Sequence, residues 1–262
     1  MVQHTVEVAV GAPVRTGVRD GDAWGPLYRT GAVCAGLAVV CYAVALVIVA
    51  TTTAPPTSGG ASVLAFVDAH RTEYIVRQLL WLMPSLFLMV VFLALAVALR
   101  VESRSFAAIA GLVAVTSWAV SFAWPTTGDG SLAMVVLSDK FADASTAVER
   151  APFVGGAELL IALNDVPAAI GVLQTLGILL ISLLMLRGRF GAGVAWLGTA
   201  TGALGIVAEV LRPVLGWAYA FYGLLLFAWL VWVAIALWRY ASDERPSGRV
   251  APGPAGDQRL AG

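Results

Sequence analysis

Charge is scarce in this chain. Only 12% of its 262 residues are Asp, Glu, Lys or Arg, against about 25% in a soluble globular domain. Of its 16 basic residues one, Lys140, is a lysine. That arginine bias points to a GC-rich bacterial genome. The formal net charge is zero, so there is no basic excess to grip nucleic acid. Histidine and cysteine number two each. Cys34 and Cys41 share an apolar run seven positions apart. On a helix that is a rise of roughly 10 Å, too far for a mutual disulfide, and they read as small packing hydrophobes. With no C-x-x-C, thiol redox chemistry lacks its usual pair. No H-E-x-x-H, Walker loop or G-x-S-x-G is present. One of the two histidines, His4, lies in the N-terminal tail, which excludes bis-histidine haem ligation across a bundle. No metal and no cofactor is expected.

What the chain has instead is apolar length. Sixty per cent of residues are hydrophobic. Uncharged runs cover Thr30 to Val67, Gln78 to Leu99, Ser105 to Gly128, Val166 to Leu186, Phe190 to Ala208 and Pro213 to Trp238. Each holds the roughly 20 apolar residues that cross a bilayer as a helix. The expected fold is an all-α polytopic bundle of six transmembrane helices, over about 31–52, 78–99, 105–124, 166–186, 190–209 and 213–238. Residues 1–26 form an N-terminal tail, 27–240 the membrane domain and 241–262 a disordered C-terminal tail. The first run exceeds the h-region of a cleaved signal peptide and follows a long polar tail, so it reads as a span.

Arginine sets the orientation. One side receives Arg15, Arg19, Arg29, Arg100, Arg104, Arg187, Arg189, Arg239, Arg245, Arg249 and Arg259. The other receives Arg71, Arg77, Lys140, Arg150 and Arg212. Bases collect on the cytoplasmic side, which places the protein in a bacterial plasma membrane with both termini cytoplasmic. The acids lean the opposite way and leave the outer face net negative. Trp24, Tyr28, Trp124, Trp217, Tyr219, Trp238 and Tyr240 fall at span borders, where amphipathic rings settle. Trp118, Trp229 and Trp232 fall deeper and read as packing residues.

The connections are unequal. Val101 to Arg104 and Arg187 to Arg189 are tight inner turns, and Glu209 to Pro213 is a tight outer one. Two outer loops are long, 51–77 and 125–165, and long structured loops are usually functional. In the second, Ser131 reads as an N-cap, and Leu132, Val135, Val136, Phe141 and Val148 recur near helical spacing. That is one amphipathic helix lying in the outer interface. The piece from Ala157 to Leu163 either dips into the membrane or caps the bundle, and Asn164 or Asp165 caps span four. Pro84 predicts a kink in span two. Gly198 and Gly202 form a G-x-x-x-G that serves helix packing within the chain or a homodimer.

Three clusters carry possible chemistry. His70, Tyr74 and Arg77 fall at i, i+4, i+7 and share a helix face. They suit ligand binding or general-base work, and they equally suit a solvated helix end with a Glu73–Arg77 pair. Asp139 and Asp143 spell D-x-x-x-D, one short of the two acid-rich segments a diphosphate-bound Mg²⁺ needs. Glu158, Asp165, Glu209 and Arg212 are the catalytic candidates. Carboxylates sharing a site raise one pKa and leave a protonated acid at neutral pH. The plainer reading of Glu209 and Arg212 is an i, i+3 ion pair. Trp217 and Tyr219 join His70, Tyr74 and Arg77 as candidate ligand contacts. No span holds a charge in its middle third, which disfavours an ion-coupled transporter. Thr116, Ser117, Gln174, Thr175, Thr199 and Thr201 at mid-depth suit hydrogen bonds between helices.

Some stretches carry a resemblance. They are Leu27-Tyr28-Arg29-Thr30-Gly31-Ala32, Leu99-Arg100, Leu183-Leu184-Met185-Leu186-Arg187-Gly188-Arg189-Phe190 and Val194-Ala195-Trp196-Leu197-Gly198. With two long outer loops and two tight inner turns, the chain from Leu27 to Tyr240 resembles the bacterial membrane proteins of domain of unknown function family 4386. The resemblance implies a six-helix bundle and transfers no catalytic residue. The leading functional expectation is an integral membrane protein whose acidic outer cap binds a membrane lipid or small hydrophobic ligand. The alternatives are a membrane-embedded enzyme using acid catalysis on an apolar, terpenoid-like substrate, as a cyclase or isomerase, and a facilitator of small-molecule passage.

Overall fold

A helix satisfies its backbone polar groups within its own segment, which an apolar run surrounded by lipid requires. Each apolar run is largely helical over its described residues in the computed structural model. It describes residues 24–124, 126–127, 130–165, 169–215 and 218–243, with the backbone alone at Thr126, Thr127, Asn164, Asp165, Pro213 and Asp243. The elements are α1 (Gly25–Thr51), α2 (Gly60–Ala69), α3 (Arg71–Leu99), α4 (Arg104–Ala123), a short antiparallel hairpin of β1 (Thr126–Thr127) and β2 (Gly130–Ser131), α5 (Ala133–Asp143), α6 (Ala147–Asp165), α7 (Ala169–Met185), α8 (Ala192–Val210), α9 (Arg212–Leu215) and α10 (Tyr219–Asp243).

Six of these helices close a ring: α3 packs on α4, α4 on α7, α7 on α8, α8 on α10, α10 on α1, and α1 back on α3. Aromatic packing fills its middle. The Phe92 ring lies 6.4 Å from Trp118 and 5.9 Å from Trp229. Leu88, Leu95, Ile178, Ile181 and Leu230 complete the core around them. The outside is apolar too: Val40 and Val47 on α1, Leu112 on α4, Leu204 on α8 and Leu224 on α10 are exposed. A large exposed apolar surface of this kind marks contact with lipid or with another protein. Trp118 and Trp229 are buried as expected. Trp232 is not; it is 46% exposed on the flank of α10.

Among the described residues, five helices are long and apolar enough to cross a membrane: α1, α3, α4, α8 and α10. The fourth apolar run gives α7, a shorter apolar helix of 17 residues. At about 1.5 Å per residue it spans roughly 26 Å, just under the ~30 Å hydrocarbon core. Residues 166–168, ahead of it, lie outside the described ones. The second span begins earlier than its apolar run, because α3 starts at Arg71 and continues unbroken through Pro84 to Leu99.

The two long loops fold together. α2, α5 and α6 pack on one another around Val63, Leu64, Val67, Met134, Val135 and Ala157, with Tyr74 of α3 as the floor. The single amphipathic helix expected across 131–149 is two helices. The break is a capping box at Thr146-Ala147-Val148-Glu149. The Glu149 carboxylate accepts from Ser145 N (2.8 Å) and Thr146 N (3.1 Å), and Thr146 Oγ1 accepts from Glu149 N (3.3 Å). Val148 therefore belongs to α6 and is exposed. The N-cap of α5 is Leu132 rather than Ser131; Ser131 ends the hairpin just before it, and its Oγ accepts from Ala133 N at 3.2 Å. Arg71 at the start of α3 pairs with Asp139 of α5 through both carboxylate oxygens, tying this helical cluster to the ring.

Candidate functional site

Glu209 is the one acidic side chain buried in the ring among the described residues, 4% exposed. It sits one residue before the end of α8, where the helix dipole presents its negative pole and disfavours another anion. Its neighbours compensate. Tyr219, opening α10, donates its hydroxyl to Oε1 at 2.6 Å. Arg212 donates from Nη2 to the Tyr219 oxygen at 3.2 Å and brings Nε to 3.9 Å from Glu209 Oε2. The Arg212 guanidinium also lies over the Tyr219 ring, 5.0 Å from its centroid. Tyr222 meets Tyr219 edge-on, with centroids 5.7 Å apart. The tight turn that carries Arg212 thus folds the start of α10 back against the end of α8.

The opposite wall is α7. A Cβ on Gly171 would run into the Glu209 carboxyl group. Only the hydrogen side chain lets the carboxylate lie against this end of α7, where backbone dipoles favour an anion. Glu209 Oε2 is buried and has no hydrogen-bond partner among the described residues. One turn further along α7, the buried amide Nε2 of Gln174 has none either. Each is thus a buried polar atom without a hydrogen-bond partner among the described residues.

The sequence candidates divide among three places. Glu209, Arg212 and Tyr219 come together. Glu158 does not join them: it accepts a hydrogen bond from Gly60 N at 2.5 Å and caps the start of α2. No carboxylate pair forms between Glu158 and Glu209. The side chain of Asp165, and all of Trp217, lie outside the described residues. The third place is the joint between ring and cluster. Tyr74 is buried and both donates to Ser131 O and accepts from Ser131 N, each at 3.1 Å, holding the hairpin on α3. Arg77, expected on a solvated face, is 4% exposed one turn below. His70 lies at the α2–α3 junction, its Nδ1 3.1 Å from Phe66 O and its ring stacked on Phe66. The sequence missed Gly171 and marked Gln174 only as a mid-depth hydrogen-bonding group, because inside an apolar run neither residue says which neighbour it faces.

The mid-depth hydroxyls also behave otherwise than expected. Ser117, Thr175, Thr199 and Thr201 donate to carbonyls of Ala114, Gly171, Ala195 and Leu197 on their own helices, at 2.7–3.0 Å. The nearest unshared acceptor is a carbonyl three or four residues back, so these groups do not line a path. Gly198 and Gly202 are buried in contacts within the chain, Gly198 against Ser182 and Trp229, Gly202 against the Leu179 backbone. The Asp139 carboxyl, hydrogen-bonded by Arg71, is held below the usual carboxylate range. Among the described residues no three His, Cys, Asp or Glu side chains converge to hold a metal ion. Two clefts lie at the other end of the ring, one beside Trp24, Arg100 and Arg104, the other between Arg189 and Arg239. Comparison with known proteins finds no matching family model, no similar curated protein and no similar solved structure.

Proposed function

We propose that the chain is an integral protein of a bacterial plasma membrane with six spans and cytoplasmic termini. Its outer end holds the polar head of a membrane lipid or small hydrophobic ligand at Glu209. Five long apolar helices, a sixth shorter one inserted between α4 and α8, and an apolar outer surface support the membrane reading. Arginine placement supports the orientation. The resemblance to domain of unknown function family 4386 belongs to this proposal. The α2–α5–α6 cluster is read as the outer cap.

One observation carries the ligand reading. Glu209 Oε2, beside a tyrosine and a guanidinium, is buried without a hydrogen-bond partner among the described residues, and so is Gln174 Nε2, one turn along α7 from Gly171. An unmatched buried polar group costs about 1–3 kcal/mol, and a ligand offering a donor and an acceptor removes that cost. Acid catalysis has less support. Glu158 is occupied at α2, and the Glu209 carboxyl group is already engaged by Tyr219 with Arg212 beside it. Passage through the ring has less support as well, since the mid-depth hydroxyls turn back onto their own helices. The test is the small-molecule content of protein purified in mild detergent, compared by mass spectrometry with a Glu209→Gln preparation. A compound enriched with the wild type and lost from the variant supports the reading. Identical extracts from both would sink it.

A further inference from the structure

We propose that the groove between the α7–α8 turn and the last turns of α10, at the end of the ring opposite Glu209, binds an anionic phospholipid. The site goes beyond the ligand reading above and shares with it only the placement of the chain in a membrane.

The groove encloses about 260 Å³, and Arg189, Phe190, Trp232, Ile235, Arg239 and Tyr240 are among its lining residues. Its rim carries two guanidinium groups, and no carboxylate is among the lining side chains. Several other arginines have partners: Arg71 has Asp139, Arg100 the Trp24 ring, Arg150 the Ala144 carbonyl, and Arg212 Tyr219 and Glu209. Arg189 and Arg239 are both exposed, and among the described residues neither makes an ion pair or hydrogen bond. Two guanidinium groups lining one groove at a membrane border are complementary to a phosphate ester.

The groove is also built for chains below that head group. Trp232 and Ile235 are each 46% exposed and form its apolar wall. Trp232 lies flat against α8 because residue 193 is glycine; a Cβ there would come within 2.6 Å of the indole. Leu224, Val231 and Ile235 fall at i, i+7 and i+11 and share one face of α10. All three are exposed, giving acyl chains an apolar track from the rim toward mid-depth. The rim is rigid. Phe190 and Tyr240 stack with centroids 5.1 Å apart and an interplanar angle of 1°. Tyr240 also meets Tyr28 edge-on at 5.1 Å. The two arginines therefore flank a fixed aromatic pair, and little order is lost when a ligand docks. The chemistry selects a head group with net negative charge. A zwitterionic choline head would bring its own cation against Arg189 and Arg239.

The test uses the full chain in vesicles made from equal parts of phosphatidylglycerol and phosphatidylcholine. Lipid retained on the protein is read by native mass spectrometry after extraction. Wild type is expected to retain phosphatidylglycerol in preference. Arg189→Gln and Arg239→Gln should each lower that preference about fivefold. The Lys variants at both positions should keep most of it, because the charge remains. Trp232→Ala should lower retention of both lipids alike. Added inorganic phosphate should not displace the lipid. Equal retention of the two lipids, an unchanged preference in the double Gln variant, or displacement by phosphate alone would each overturn the proposal. Failure of the chain to enter vesicles would strike the membrane reading itself. Entry without preference would strike the groove alone.

Discussion

Glu209 occupies an unfavourable position for an anion, near the C-terminus of α8 and 4% exposed. Its charge is tolerable because Arg212, Tyr219 and the facing end of α7 compensate it. Arg212→Gln should therefore destabilise the protein by about 1–3 kcal/mol, measured as a lower thermal midpoint in detergent. Glu209→Gln combined with Arg212→Gln should recover most of that loss. A double variant no more stable than Arg212→Gln alone would remove the pairing from the account. Gly171→Ala should cost about 1–3 kcal/mol by overpacking against the carboxylate, checked by the same melt; an unchanged midpoint would show that the contact is loose. At this scale the sequence exposed the i, i+3 pair and the nearby tyrosine, all within one short stretch. Gly171 and Gln174 come from a different helix, so their part in the site is a property of packing.

At the scale of elements, the outer loops show local signals competing with long-range ones. The Thr146–Glu149 capping box went unread in the sequence, and it divides what hydrophobic spacing alone joins into one helix. Thr146→Ala should weaken the start of α6 by about 1 kcal/mol, read as faster amide exchange over Ala147 to Arg150. Unchanged exchange there would show that packing on α2 and α5 dominates. The bond from Glu158 to Gly60 and the pair of Arg71 with Asp139 link residues 98 and 68 positions apart, beyond any local pattern. Both partly replace the surface roles those residues suggest when read singly. The Asp139 carboxyl is lowered by its hydrogen bond with Arg71, and that of Glu149 by backbone hydrogen bonds from Thr146 and Ser145. A lowered carboxylate stabilises the fold above its unfolded pKa, near 4, and loses that contribution as pH falls through its folded value. Exchange protection of α5 and α6 should therefore fall between about pH 5 and about pH 3, and less so in Asp139→Asn with Glu149→Gln. A dependence of equal steepness in the double variant would assign it to other groups.

At the scale of the molecule, the ring explains why the six runs were legible while their arrangement was not. Apolar length marks each helix, and tight turns at Val101–Arg104 and Arg187–Arg189 make neighbours of α3 with α4 and of α7 with α8. Contact of α1 with α10 and of α4 with α7 closes the ring, and neither follows from adjacent sequence. The length of α7, 17 residues, is where the count of crossings is most exposed to test. If α7 crosses, Ser145 and Gly188 lie on opposite sides of the membrane; if it does not, they share a side. The measurement is thiol labelling of intact and permeabilised cells carrying Ser145→Cys or Gly188→Cys, with Cys34 and Cys41 replaced by alanine. Labelling of residue 145 by an impermeant reagent in intact cells, and of residue 188 only after permeabilisation, is the predicted result. Both positions reactive from the same side would contradict six crossings and the outward placement of Glu209.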